Sequence, residues 1–380
     1  MTGADRRATQ ADDRPEDARN ERYYTASQWQ LAWRKFRRHK LAIIGGSILG
    51  LFYLFAIFAG FFSTNDIHEQ YLDRINAPPQ RVRIFAPGNG LVGPFVHAYE
   101  SARDPVTLRK TYVEDTSVRF PLRVFARGHD YRLLGLIRTD IHLLGVGDDG
   151  YLHLFGTDKL GRDMWSRNIH AARISLTIGL VGVTLSFVLG CLLGGLSGFL
   201  GGRVDVVIQR LIELIISIPQ IPLWMGLSAA LPKKWPTTAI YFGLTIVLSV
   251  VGWVEVARVV RGRVLASREE DYTMAARIAG ATDLQTIRRH MLPSMFSYLI
   301  VRVTLAVPFM ILGETALSFL GLGMQAPAVS WGVLLQNAQN FRTIALHPWL
   351  LIPALFVIVT VLAFNFVGDG LRDAADPYRK

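Results

Sequence analysis

The sequence predicts an all-α integral membrane protein with six transmembrane helices and an extracytoplasmic insert between the first two. Three observations carry this. Of 380 residues, 51% are hydrophobic and 19% charged, with a mean hydropathy of +0.28. The apolar residues are gathered in runs of about 20, the length a helix needs to cross roughly 30 Å of hydrocarbon. Lys and Arg are distributed unequally between alternate connections, as in multi-pass membrane proteins. This composition excludes intrinsic disorder, a collagen repeat and a disulfide scaffold. The single cysteine, Cys191, lies inside an apolar run and reads as a small packing residue.

Residues 1–40 form a cytoplasmic N-terminal segment, of which 1–27 are polar and predicted to be disordered. Residues 28–40 mix Trp29, Leu31, Trp33 and Phe36 with basic side chains, either an amphipathic helix on the inner membrane surface or simply a basic flank. The first span is 41–62, charge-free, and too long and too far from the N-terminus for a signal peptide. Segment 63–173 is extracytoplasmic. Within it, Arg81–Phe85 and Arg119–Ala126 alternate basic and apolar residues, predicting strands with one buried face. Its histidines (His68, His97, His129, His142 and His153) lack metal-ligand spacing and read as surface or packing residues. The remaining spans are 174–202, 211–231, 235–257, 295–320 and 348–368. Between them lie a cytoplasmic loop at 258–293 and an extracytoplasmic loop at 321–347, with a cytoplasmic tail at 369–380.

Orientation follows from the short connections. With the N-terminus inside, inner segments hold 17 Lys and Arg and the short outer loops hold three, Lys233, Lys234 and Arg342. Both termini are therefore expected in the cytoplasm. The net charge of +11 is mainly this asymmetry, so no nucleic-acid partner is expected.

The second span carries Gly182, Ser186, Gly190, Gly194, Gly198 and Gly202 at intervals of four. Such residues align as a ridge on one helix face, where small side chains let another backbone approach. The alternative is the general glycine enrichment of membrane helices. Pro219 and Pro222 interrupt the third span and Pro308 the fifth, each removing a backbone donor and predicting a kink or break. Such breaks suit a pathway that opens, or a rigid bundle with structural kinks. Arg302 and Glu314 are charges within the fifth span and possible pathway residues. Twelve residues, roughly 18 Å, separate them, so they cannot pair along a straight helix, and partners on other spans are the alternative.

In the loop 258–293, Ser267 and Glu270 match a capping box and predict a helix start, with Gly280 ending that helix. Thr282 and Gln285 form a second such pattern, and Pro293 ends the next helical stretch. Two short helices are expected, the first offering Ala275, Ala276, Ala279 and Gly280 as a small-residue surface. No nucleophile stands beside a base. None of the seven lysines follows a glycine, so there is no Walker A loop, and neither G-x-S-x-G nor H-E-x-x-H occurs. A gradient-driven secondary transporter is the alternative reading. It would call for inverted repeats and midplane carboxylates, for which only Glu314 is a candidate.

Asp271-Tyr-Thr-Met-Ala-Ala-Arg-Ile-Ala-Gly280, followed by His290-Met-Leu-Pro293, resembles the EAA loop of binding-protein-dependent ABC importer permeases. Gly156-Thr-Asp-x-x-Gly-Arg-Asp163, Glu314-Thr-Ala-Leu-Ser-Phe-Leu-Gly-Leu-Gly323, Ser330-Trp-Gly332 and Gly368-Asp-Gly-Leu-Arg-Asp373 resemble the second, C-type permease of the oligopeptide/dipeptide family. The match is dense over 152–380, the permease core, and loose over 28–62. The resemblance implies a type I importer permease fold in a bacterial inner membrane, and a non-catalytic pore subunit. Its implied partners are a homologous second permease, two P-loop ATPase subunits, an extracytoplasmic substrate-binding protein and membrane lipid. This chain would bind no cofactor or metal, ATP and Mg belonging to the ATPases. Asp271, Met274, Ala275, Ala276, Gly280, Asp283 and Pro293 would carry the coupling to the ATPase. Met274 stands where the motif has its glutamate, and Asp271 one turn earlier supplies an acid instead. The long 63–151 segment leaves peptide, modified peptide and oligosaccharide open as substrates.

Overall fold

The computed structural model describes residues 28–375 apart from 87–89, 104, 106–109, 148–149 and 233. Residues 1–27, expected to be disordered, lie outside the described residues. An amphipathic helix α1 (Gln28–Arg38) leads through the His39 cap into α2 (Lys40–Ile57), the first span. Residues 59–62 add one separate turn.

The insert is built from five antiparallel strands: β1 (Arg83–Ala86), β2 (Gly90–Arg103), β3 (Lys110–Pro121), β4 (Arg123–Leu133) and β5 (Ile137–Gly145). Strands β1, β2 and β3 form one sheet and β4 pairs β5 in another. The run Arg119–Ala126, expected as one strand, is shared between two sheets. Leu122 marks the join: its N–H donates to the Pro94 carbonyl (2.9 Å), one step past the Phe95–Pro121 pair, and Pro94 has no N–H to return the bond. The β4–β5 hairpin rests on the end of the first span: the Tyr131 ring covers Gly60, and His142 Nδ1 lies 2.8 Å from the Gly60 carbonyl oxygen.

The second span is α3 (Met164–Leu200), which begins ten residues before its apolar run. Asp163 caps it, accepting from Ser166 N at 2.8 Å. At about 1.5 Å per residue a helix of 37 residues exceeds the hydrocarbon thickness, so its polar first turns lie outside. The expected third span, 211–231, is not one helix. It divides into α4 (Gly202–Ile216) and α5 (Gln220–Ala229), bent by 90°. Pro219 is the cause: it has no N–H to donate and disfavours helical backbone at Ile218. Pro222, in the first turn of α5, breaks nothing.

The fourth span, α6 (Thr237–Ser267), continues ten residues beyond its apolar run, carrying Arg258, Arg261 and Arg263 past its end. After the connecting loop and its helix α7 (Asp271–Ile278), the fifth span α8 (Phe296–Phe319) passes unbroken through Pro308. A short α9 (Trp331–Leu335) precedes the last span, α10 (Ile352–Ala375), whose entry at Pro348–Leu351 is a 3-10 turn. Helices α2, α3, α6, α8 and α10 share a core containing Phe52, Leu176, Leu248, Ile311, Trp331 and Val357. The polar character of this bundle's two ends then decides what each end can do.

Candidate functional site: the cytoplasmic helix and the membrane cavity

The loop 258–293 is fastened from within. Ile287 and Met291 are buried against Cys191 and Phe199 of α3 and Val260 and Val264 of α6. The Arg277 guanidinium stacks over the Phe199 ring at 4.4 Å, a cation–π contact. Helix α7 does not begin at Ser267, which is the last residue of α6. Its N-cap is Glu270, without a side-chain bond. The expected Ser267 cap fails because α6 runs on to that residue. There the Ser267 carbonyl accepts from the buried Thr273 Oγ1 (2.8 Å), joining the two helices.

Gly280 terminates α7 at φ +84°, a backbone region that favours glycine. Gly280 N donates to Arg277 O and Ala281 N to Ala276 O, both at 3.0 Å, completing a Schellman motif. Thr282 and Gln285 form their capping box, with Asp283 in the first turn of the short helix it starts. Asp271, Met274, Ala275, Gly280, Asp283 and Pro293 are exposed. Ala276 is not: with Thr273 it faces the bundle, so it cannot belong to the same outward surface. The outward face instead includes three apolar side chains that the small-residue pattern missed, Tyr272, Ile278 and Leu284, with Ile278 85% exposed.

The glycine ridge lies along α6. A Cβ at Gly190 would stand 2.5 Å from Val256 Cβ, one at Gly194 inside contact of the Ala257 carbonyl, and one at Gly198 2.8 Å from the Arg261 carbonyl. Ser186 Oγ donates to Ser249 O (3.2 Å), and Ser249 Oγ returns a bond to Gly182 O (3.0 Å). Gly202 is outside this face: α3 ends at Leu200, Gly202 opens α4, and nothing lies near a Cβ placed there.

A cavity of about 420 Å³ opens between α3, the α4–α5 break, α6 and α8. Its wall is largely apolar, with Trp224 and Phe309, and carries Gln220, Glu255, Arg258 and Arg302. Arg302 is exposed there, its Nε donating to the Tyr298 hydroxyl at 3.0 Å. Glu314, the other candidate pathway residue, does not line this cavity. It is wholly buried, accepting from Ser318 Oγ (2.7 Å) and Ser175 Oγ (3.2 Å). Ser175 Oγ in turn accepts from Trp331 N (3.2 Å), so the carboxyl joins α3, α8 and α9. Hydroxyl groups from neighbouring elements supply the partners that a buried carboxyl requires.

The opposite end is locked. Asp158, fully buried, accepts from Arg162 Nη2 (2.7 Å), Arg167 Nη1 (3.0 Å) and two backbone amides. Asp163 Oδ1 pairs with His153 Nδ1 at 3.0 Å. Gly161, at φ +73°, packs directly on the Tyr71 backbone, and Trp349 Nε1 donates to Thr157 O at 3.1 Å. The motif 156–163 thus joins the segments around Tyr71 and Trp349 to the start of α3. Beside it a polar pocket of about 310 Å³ is lined by Asp66, Glu69, Tyr71, Arg127, His129 and His142. Burial, with the Glu69 carboxylate, pushes the Tyr71 phenol up, and burial with the nearby His142 pushes the His129 imidazole down. Among the described residues no group of three or more His, Cys, Asp or Glu is placed to hold a metal.

The family of binding-protein-dependent transport system inner membrane components has a model that matches residues 186–380. The N-terminal transmembrane domain of oligopeptide transport permease C matches residues 27–79. A dipeptide transport system permease protein of Bacillus subtilis is 40% identical over 226 residues, 59% of this chain and 68% of that protein. A second dipeptide transport system permease protein, from Alkalihalophilus pseudofirmus, is 30% identical over 367 residues, covering 96% of this chain and 94% of the other. The solved inward-facing methionine ABC transporter has a chain at 18% identity and a TM-score of 0.42, covering 54% of this chain and 95% of that one.

Proposed function

We propose a working cycle from one established premise: the chain belongs to the family of binding-protein-dependent transport system inner membrane components, as a multi-span permease subunit of an ABC importer. In this reading it forms part of the pore and performs no hydrolysis itself. ATP and Mg are bound by P-loop ATPase subunits below the membrane, two per transporter. A homologous second permease completes the pathway, and a binding protein delivers the solute from outside. The host is a bacterial inner membrane, with both termini of this chain in the cytoplasm.

One observation carries the assignment of the ATPase seat. Helix α7 is anchored on its inner face by Thr273 and Ala276 and exposes Tyr272, Met274 and Ile278 on its outer face. Exposed apolar side chains on a fixed, polar-ended helix suit a groove on another protein. Asp271, Met274, Ala275 and Gly280 would meet the ATPase. Asp283 and Pro293 would hold the following segment, and Ala276 acts from behind. ATP would drive switching only if the ATPase binds one state of the permease better than the other. The cradle of Ile287 and Met291 against α3 and α6 gives movement of α7 a direct route into the spans.

The substrate class we favour is a small peptide. The names of the similar proteins above include dipeptide and oligopeptide transport. The cavity at the broken span carries Glu255, Arg258 and Arg302 on an apolar wall, both signs of charge as a zwitterionic peptide presents. The test is purification of this chain from its own cells in mild detergent, followed by identification of what accompanies it. Recovery of P-loop ATPases and a second permease supports the reading. Recovery of this chain alone, stable and active, contradicts it and favours a gradient-driven transporter.

A further inference from the structure

Three arginines near the cytoplasmic end of the bundle are paired with carboxylates. Arg258 faces Glu255 at 3.9 Å, Arg261 forks onto Asp205 at 2.6 Å, and Arg210 meets Glu213 at 2.7 Å. Arg263, Arg302 and Arg372 differ: none stands within 4.0 Å of a carboxylate among the described residues. They come from three different helices, α6, α8 and α10, and they line one cavity of about 740 Å³. Its wall also holds the hydroxyls of Ser267, Ser294 and Tyr298 and, among the described residues, no acidic side chain. Tyr298 organises the site. The Arg263 and Arg302 guanidinium groups stand over its ring at 5.3 and 5.6 Å, and Arg302 Nε bonds its hydroxyl at 3.0 Å.

Three like charges converging on a concavity repel one another unless an anion joins them. Guanidinium groups with free donors, beside hydroxyls, match the several acceptor oxygens of a phosphate group. We propose that this cavity is a binding site for a phosphate-bearing anion, its natural source the headgroup of an anionic phospholipid of the inner leaflet. The position favours that source. Arg372 lies in the last turn of its helix, Arg263 just before the last turn of its own and Arg302 near the start of α8, so all three sit at one end of the bundle, where α7 also lies. Basic pockets between helices at the cytoplasmic face are where anionic headgroups bind. The proposal rests on the permease reading only in taking that end as cytoplasmic. A bound headgroup would hold α6, α8 and α10 together beside the loop that α7 terminates.

The test uses the assembled transporter in nanodiscs of neutral phosphatidylcholine. Phosphatidylglycerol is then titrated in, and lipid retained after detergent washing is counted by native mass spectrometry. The wild type retains phosphatidylglycerol. With each arginine near a charged surface contributing about 1 kcal/mol, Arg372→Gln weakens retention about fivefold, and the triple change at Arg263, Arg302 and Arg372 roughly a hundredfold. Displacement of the lipid by millimolar inorganic phosphate in the wild type alone assigns the site to a soluble phosphate instead, with the same chemistry. Equal retention by wild type and Arg372→Gln, with no phosphate effect, overturns the proposal; this single exposed-site variant remains decisive if the triple variant does not fold. Copurifying ATPases are scored in the same preparation, so failure of the permease reading shows as their absence and failure of the anion site as unchanged lipid retention.

Discussion

The two ends of this bundle solve opposite problems with similar means. At the end that bears the strands, the segment 153–167 closes on itself: Asp158 satisfies two arginines, Asp163 satisfies a helix terminus and a histidine, and Gly161 admits another backbone. At the other end, the loop around α7 is equally well formed by its Schellman turn and capping box, yet leaves Tyr272, Met274 and Ile278 uncovered. Both segments carry the motifs by which the sequence resembles its family. The difference teaches that one motif finds its partners within the chain while the other leaves an apolar face exposed.

Breaking the closed end has the largest expected effect. Asp158→Ala leaves the buried Arg167 guanidinium without its partner, a loss of about 3–5 kcal/mol. The thermal midpoint of the purified protein falls sharply, and a midpoint like that of the wild type would show the ion cluster to be dispensable. The helix seam within the membrane comes next. Gly194→Leu drives a side chain into the Ala257 backbone, and overpacking costs about 1–3 kcal/mol or more. Loss of the monodisperse peak on gel filtration is expected; normal yield counts against close α3–α6 packing as the role of the ridge.

The open end sharpens the contrast, because damage there leaves the fold intact. Gly280→Val meets nothing within 4 Å but forces a β-branched residue to φ +84°, at a local cost of about 1–2 kcal/mol. Uptake driven by ATP falls about tenfold while the thermal midpoint changes little. Unchanged uptake in a well-expressed variant would separate the turn from coupling. The smallest effect concerns pH. His129 is held below the usual histidine range by burial, then by the His142 charge, so the unfolded chain binds its proton more readily. Its contribution is complete above about pH 6.5 and is lost as pH falls from there through the folded value. The protection factors of amides in β4 and β5, corrected for the base-catalysed intrinsic rate, are therefore smaller at pH 5.5 than at pH 8, and His129→Asn removes that difference; an unchanged difference assigns it to another group.

The positions of the apolar runs and the end of α7 at Gly280 were legible because each depends on local chemistry. The four-residue glycine spacing also marked a face, though only the structure supplies its partner, α6. Other features depend on distant partners. The polar start of α3 is helical because Asp163 caps it and Asp158 receives Arg167, neither visible in an apolar run. The 90° bend needed Pro219 to break a helix while Pro308 did not, a distinction that proline alone does not make. Glu314 looked like a pathway charge because its serine partners Ser175 and Ser318 are invisible as a set until α3 and α8 pack. Ala276 was grouped with Ala275 by size, whereas helix rotation sends one inward and the other outward.

The account turns on whether α7 seats an ATPase. The most direct measurement is site-directed cross-linking in native membranes with Cys191→Ser, which removes the one natural thiol. In that background Met274→Cys is compared with Leu136→Cys, a still more exposed position in the β4–β5 hairpin. The account predicts a cross-linked product joining this chain to a P-loop ATPase from position 274 and none from 136. A properly inserted protein that gives no ATPase product from position 274 would contradict it.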